Sequence, residues 1–253
     1  MQRQLPSTAQ GFGIFAALAA AFNSPIPATR PALSGFFAAM FDRQLTMAAD
    51  ASPMGPMPRW RRVMTRFAEE RADPAAFCTV EMTGTCPRIL WQDLVARLRL
   101  LPLGARVALV NQFFNRRPYV PAAANWGRPG YWETPYEFLA RGGQCQDFAI
   151  AKFLALLQSG VPERDLRFVV VRDAVSGLDH AITVVDLPSG PVALDNQMPD
   201  ATPLADLASR YQPYYALNDR GWITADVPDP TIAMPSPSPP TLAFNDTFEV
   251  ARY

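Results

Sequence analysis

From Phe148 to Leu157 the chain reads Phe-Ala-Ile-Ala-Lys-Phe-Leu-Ala-Leu-Leu, a helical pattern whose apolar residues fall on every face rather than along one stripe. Such a helix has to be enclosed on all sides, so the rest of the chain must build layers around it. Gly160 and then Pro162 end it, in the usual C-terminal order of glycine followed by proline. At the other end, Arg141-Gly142-Gly143-Gln144-Cys145-Gln146-Asp147 releases a loop into the helix and puts a cysteine in its first turn. The unpaired N–H groups and the positive dipole end of a helix N-terminus favour thiolate over thiol. Cys145 is therefore the candidate nucleophile. A lone buried cysteine is otherwise a small hydrophobe, and the residues downstream separate the two readings.

The chain has one histidine, His180. Leu166 to Arg172 is a valine-rich strand, Asp173 to Gly177 a turn, and His180 to Asp186 a second strand. Leu187-Pro188-Ser189-Gly190 turns the chain into a short third strand, Pro191 to Asp195. Folding back at that turn brings Asp195 within about two residues of the position opposite His180, where side chains of paired strands touch. Thiol catalysis needs a thiolate, an imidazole that carries its proton and an acceptor that orients the imidazole. Cys145, His180 and Asp195 supply these in a plausible spatial order. The chemistry also needs donors for a tetrahedral oxyanion: the Cys145 backbone N–H is the first, and Asn125, Trp132 and Gln144 are candidates for the second.

Tyr131-Trp132-Glu133-Thr134-Pro135-Tyr136-Glu137-Phe138-Leu139, Gly143 to Lys152, His180 and Leu194-Asp195-Asn196 resemble the bacterial transglutaminase-like cysteine peptidases, a family that includes the LapG-type periplasmic proteases. The resemblance extends to Val110-Asn111-Gln112-Phe113-Phe114-Asn115, to Tyr211 to Asn218 and to Gly221-Trp222. It implies an α+β fold of papain-like or transglutaminase-like type, with the nucleophile at the N-terminus of a buried helix packed on an antiparallel sheet carrying His180 and Asp195. It also implies a protein substrate, such as the N-terminal anchor of a large surface adhesin, and regulation by an inner-membrane receptor for cyclic-di-GMP. One departure stands out. LapG-type members carry Asp-Cys-Glu-Asp and bind calcium through the acids flanking the cysteine, whereas this chain has Gln144-Cys145-Gln146-Asp147. Two amides in place of two carboxylates weaken a site for a hard divalent cation, so the expectation is a member that needs no calcium, with Asp147 its one weak ligand.

Equal numbers of basic and acidic residues, 23 each, leave no field to hold nucleic acid. Gly11 to Phe22 is an apolar run after a short basic segment, too short to span a bilayer, and residues 1–28 read as a signal peptide. Residues 29–225 form the catalytic domain, and 226–253 a proline- and serine-rich linker and tail. In an exported chain Cys78 and Cys86 pair as a disulfide; in a cytosolic one both are free thiols. Leu33 to Phe41 forms a short helix or strand, and Arg59 to Phe67, Ile89 to Leu101 and Gly104 to Asn115 are packing helices. Arg116 to Gly130 is an irregular stretch suited to lining a cleft, and Leu204 to Arg210 a short helix.

Three functions fit these residues. A cysteine endopeptidase hydrolyses its acyl-enzyme, and the signal peptide together with the family resemblance places it in the periplasm. A transglutaminase or amidase passes the acyl group to another acceptor on the same triad. A non-catalytic binding module keeps only the fold, and the intact set of Cys145, His180 and Asp195 argues against it.

Overall fold

The structure, a computed structural model, describes residues 35–41, 56–78 and 86–225. The expected signal peptide and the C-terminal linker and tail lie outside the described residues. Where sequence periodicity is strong, the helices form as expected. In α2 (Met57–Ala72), with α1 being Gly35–Ala39, the buried residues Met57, Trp60, Val63 and Phe67 repeat at helical spacing. The next two, α3 (Pro87–Arg99) and α4 (Leu103–Asn115), likewise bury one face, Trp91, Leu94 and Leu98 in the first, Val107, Val110 and Phe114 in the second. Within the stretch read as irregular, Ala122–Trp126 forms α5, one turn closed by Gly127 in the left-handed region. A further helix, α6 (Pro135–Arg141), opens with proline and a reciprocal cap. The Glu137 carboxylate accepts the Thr134 N–H at 2.7 Å while the Thr134 hydroxyl accepts the Glu137 N–H at 3.3 Å.

The central helix, α7 (Cys145–Gln158), is buried from Cys145 to Leu156. Behind it lies one antiparallel sheet of six strands, β1 (Leu166–Asp173), β2 (Leu178–Leu187), β3 (Gly190–Leu194), β4 (Thr202–Pro203), β5 (Tyr211–Asn218) and β6 (Gly221–Thr224), in the order β4-β3-β2-β1-β5-β6. The short helix α8 (Leu204–Leu207) follows β4. Helices and sheet occupy separate layers, as an α+β fold requires. Phe168 and Val170 of β1 belong to the core shared with the helices, while Val169 and Val171 belong to a second core on the far face with Phe37, Met40 and Leu204. Both faces are thus covered, which explains why β1 reads as a continuous apolar run rather than an alternation.

The last two strands, β5 and β6, were not legible as strands in the sequence. Pro213 cannot donate to a ladder, and the pairing of β1 with β5 shifts register between Val170 and Val171, where Pro213 stands opposite Val171. The bulge lets an aromatic, proline-containing segment pair where it would otherwise break the sheet. Thr183 on β2 donates to the carbonyl of Ala149 on α7 at 2.6 Å, tying the central helix to the sheet. Cys78 and Cys86 are joined by a disulfide. Among the described residues no helix is long and apolar enough to cross a membrane.

The loop into α7 is tightly enclosed. Gly143 donates to the Pro118 carbonyl at 3.3 Å, and Val120 donates to the Gly143 carbonyl at 3.0 Å, so the segment after α4 runs alongside it. Gly142 has φ +77, and a Cβ there would lie 2.3 Å from the Pro118 carbonyl oxygen. Gly127 has φ +63 but open space around it. Gly142→Ala should therefore cost about 3 kcal/mol, from backbone strain and a backbone clash together, and Gly127→Ala only about 1 kcal/mol, from strain alone. Urea denaturation of both variants checks this, and equal losses would contradict the steric account.

Candidate active site

Cys145 opens α7, His180 is the third residue of β2 and Asp195 follows the last residue of β3 directly. The hairpin register sets Thr183 opposite Leu194, so His180 and Asp195 lie near each other across the pair. A His180 Nε2 to Asp195 Oδ1 distance of 2.8 Å joins them, and both side chains are almost wholly buried. The other ring nitrogen is left for the thiol, which lies near enough to help hold the imidazole in its charged form. The thiol is itself 5% exposed and lies 3.6 Å from the Gln146 side-chain oxygen. All three residues singled out from the sequence therefore meet.

Their electrostatics follow from that burial. Desolvation pushes His180 down, but the Asp195 charge, the Asp195 hydrogen bond and the thiol outweigh it and hold the imidazole up at about 10. Desolvation pushes Asp195 up, and His180, the Gln197 N–H at 2.8 Å and the Tyr211 hydroxyl together hold it down at about 2. Tyr211 donates to Asp195 Oδ2 and is itself raised, first by burial and then by the Asp195 charge, so it remains a neutral donor.

A second set of contacts fixes the backbone after Asp195. Asn115 donates to the carbonyls of Asp195 and Met198 at 2.9 and 2.8 Å, and Asn111, one turn earlier on α4, donates to those of Met198 and Pro199 at 3.2 and 3.3 Å. Lys152, the chain's sole lysine, is fully buried on α7 and donates to Asn111 Oδ1 at 2.8 Å. Burial pushes it down to about 7 against the pull of Asp195. Tyr211, Asn111, Asn115 and Lys152 were not identified as site residues from the sequence. All four lie in the segments that carried the family resemblance, which was the one signal that pointed to them.

The oxyanion candidates are placed differently from one another. Asn125 spends its amide on Glu133 Oε1 at 3.1 Å and the Gly142 carbonyl at 2.9 Å. The Trp132 indole N–H is buried with no partner, and its ring packs on Phe168. Gln144 Oε1 accepts the Ala122 N–H at 3.0 Å. The Tyr119 hydroxyl, which the sequence did not single out, contacts both the Gln144 side chain and the Cys145 backbone amide, with its ring stacked on Phe148.

Asp147, two residues past the thiol, is fully buried and accepts the N–H groups of Glu133 and Gln144, each at 2.8 Å. It is pushed well above the carboxylate range, first by desolvation and then by the Glu133 charge. Desolvation likewise raises Glu133 to about 7. Among the described residues no group of three or more histidine, cysteine, aspartate or glutamate side chains is placed to hold a metal ion.

Residues 76–226 match the sequence model of the bacterial transglutaminase-like cysteine proteinase family. Among solved structures, calcium-bound Legionella pneumophila LapG is 25% identical, with a TM-score of 0.51 over 65% of this chain and 87% of that one. A second LapG structure from that organism is 24% identical, with a TM-score of 0.50 over 64% of this chain and 87% of that one. An EGTA-treated form is also 24% identical, with a TM-score of 0.50 over 64% and 84%. No curated protein is similar enough in sequence to be matched. The calcium-bound structure overturns the expectation that this chain works without a cofactor. That expectation counted only the residues beside the cysteine, whereas the fold brings Glu133 from another segment up to Asp147. With the match spanning more than half of its length, the chain belongs to the bacterial transglutaminase-like cysteine proteinase family and is a cysteine peptidase.

Proposed function

We propose that the chain is an endopeptidase in which Cys145 is the nucleophile, His180 the general base and acid, and Asp195 the group that orients the imidazole. The observation that carries this reading is the buried His180–Asp195 pair at 2.8 Å beside a thiol at a helix N-terminus. With the proton of Cys145 already resident on His180, whose imidazolium Asp195 stabilises, Sγ attacks the scissile carbonyl carbon. The Cys145 backbone N–H stabilises the oxyanion, with Tyr119, Gln144 or Trp132 candidates for the second donor. His180 returns the proton to the leaving amine as the C–N bond breaks, leaving a thioester. Water then gives a proton to His180 and its oxygen to the acyl carbon. The C–S bond breaks, the acid departs and the thiol is restored. Asp195 keeps its charge throughout, because His180, the Gln197 N–H and the Tyr211 hydroxyl all favour its ionised form.

The substrate is a protein of the periplasm or cell surface, such as the anchor of a large adhesin, and an inner-membrane receptor for cyclic-di-GMP controls access to it. The Cys78–Cys86 disulfide supports an oxidising compartment. Calcium is the ion that accompanies the fold in LapG, and the site fits it here: Glu133 Oε2 is buried with no partner, and it and an Asp147 oxygen both lie against Gly143. Glu133 and Asp147 would hold the ion, which supplies a fixed positive charge beneath the loop presenting the thiol.

Cys145→Ala should lower peptidase turnover by about 10⁴-fold or more while the circular dichroism spectrum is unchanged. Turnover within tenfold of wild type would rule out Cys145 as nucleophile. The same variant, immobilised, should retain a large surface protein from periplasmic extract, and recovery of cytosolic proteins alone would count against the substrate class. The stability contributed by the pair has a defined window. His180, raised from 6.5 to about 10, contributes fully below pH 6.5 and loses its contribution as pH rises through 10. Asp195, lowered from 3.8 to about 2, contributes above pH 3.8 and loses its contribution as pH falls through 2. Asp195→Asn should therefore cost most, about 3 kcal/mol, between those limits, and less on either side. Urea titrations from acid to alkali measure the difference, and a cost independent of pH would show the pair to be uncharged.

A further inference from the structure

Glu133 and Asp147 face one small space. Glu133 Oε1 accepts from Asn125 at 3.1 Å and from the Trp126 indole at 2.7 Å, which leaves Oε2 buried without a partner. Asp147 Oδ1 accepts the Glu133 N–H, and Oδ2 accepts the Gln144 N–H at 2.8 Å and the Gln146 amide at 3.3 Å. A Cβ on Gly143 would sit 2.7 Å from Asp147 Oδ2 and 3.0 Å from Glu133 Oε2. The two oxygens therefore both lie against Gly143, where any larger side chain would collide with them. Both carboxylates are wholly buried. Burial of two close carboxylates is unfavourable unless a proton or a cation lies between them.

Resting on the calcium reading above, we propose that Glu133, two residues before α6, supplies the carboxylate that the positions beside Cys145 lack, and with Asp147 binds one calcium ion. In this chain the residues flanking the thiol are the neutral Gln144 and Gln146, and the second carboxylate comes from a residue distant in sequence and adjacent in space. Two carboxylates with amide, carbonyl or water oxygens make an acceptable shell for calcium, which takes six to eight oxygen ligands in flexible geometry. The ion also links three segments. Asp147 holds the backbone of Glu133 and Gln144, and Glu133 holds Asn125 and Trp126, so calcium draws together the α5 turn, the start of α6 and the loop that presents Cys145.

The indole of Trp126 against Glu133 provides a direct probe, because a terbium ion in the site lies close enough to be excited through it. The full chain, stripped with EGTA, is titrated with terbium under tryptophan excitation, then with calcium, and its thermal midpoint is read in calcium and in EGTA. Wild type should give terbium luminescence that calcium displaces, and a higher midpoint in calcium. Glu133→Gln should weaken calcium binding at least tenfold and abolish most of the calcium-dependent rise, yet melt no lower than wild type in EGTA, since a repelling charge has gone. Trp126→Phe should lose luminescence and keep the thermal response. The proposal is overturned if wild type shows neither signal, if Glu133→Gln keeps the wild-type calcium affinity, or if Glu133→Gln melts lower in EGTA with its calcium response intact, as a purely hydrogen-bonding role requires. None of these readouts needs turnover. Set beside wild-type turnover they separate the two ideas: a wild-type chain that gives the full calcium response and cleaves no protein would overturn only the peptidase mechanism, and one that cleaves without the calcium response only the calcium site.

Discussion

The buried carboxylate of Asp147 is the contact on which the geometry of the site depends. It lies in the first turn of α7, where N–H groups have no intrahelical partner, and it accepts from the backbone of Gln144 just before the thiol and of Glu133 in a separate segment. One side chain thereby fixes the start of the nucleophile's helix and pins it to the chain leading into α6. The cost is a charge with no water around it, next to Glu133. The calcium ion proposed above would offset that cost and tie the position of the thiol to the pair formed by Glu133 and Asp147.

Asp195 shows the opposite solution to the same problem. It too is wholly buried, but it is surrounded by donors: His180, Tyr211 and the Gln197 N–H. Its charge is therefore stable without an ion. The backbone beneath it is held by Asn115 and Asn111 on α4, and Asn111 is in turn held by Lys152 on α7. The helix that bears the nucleophile and the loop that bears the carboxylate are thus joined twice, once through the imidazole and once through this polar bridge. A fully buried lysine is unfavourable by itself, and its place in that bridge gives a physical reason for the chain's sole lysine to stand at position 152.

Much of this was legible from residue order. The helix apolar on every face had to be central, the glycine pair ahead of Cys145 had to give a close turn, and the hairpin between His180 and Asp195 set their separation by counting. The calcium question was read wrongly for a simple reason. Ligands were counted along the chain, at Gln144, Gln146 and Asp147, and Glu133 lies more than ten residues upstream, so its carboxylate entered no local pattern. The strands β5 and β6 were hidden by Pro213, whose lost N–H is absorbed by a bulge that exists only once β1 is in place.

The sequence by itself determined which side chains could do chemistry and the layers that would carry them, because periodicity, turn residues and helix ends act through neighbours a few positions apart. It determined Cys145 at a helix start and His180 and Asp195 on or beside adjoining strands, and the family resemblance added the α+β class. Only the tertiary structure decided what surrounds each of them: Tyr211 and Gln197 on Asp195, Tyr119 at the Cys145 amide, Glu133 against Asp147, and Lys152 under Asn111. Desolvation is set by everything packed around a group, and a charge responds to neighbours in space whatever their distance along the chain. The fate of a buried carboxylate, whether a donor, a proton or a metal ion satisfies it, is therefore written in the packing.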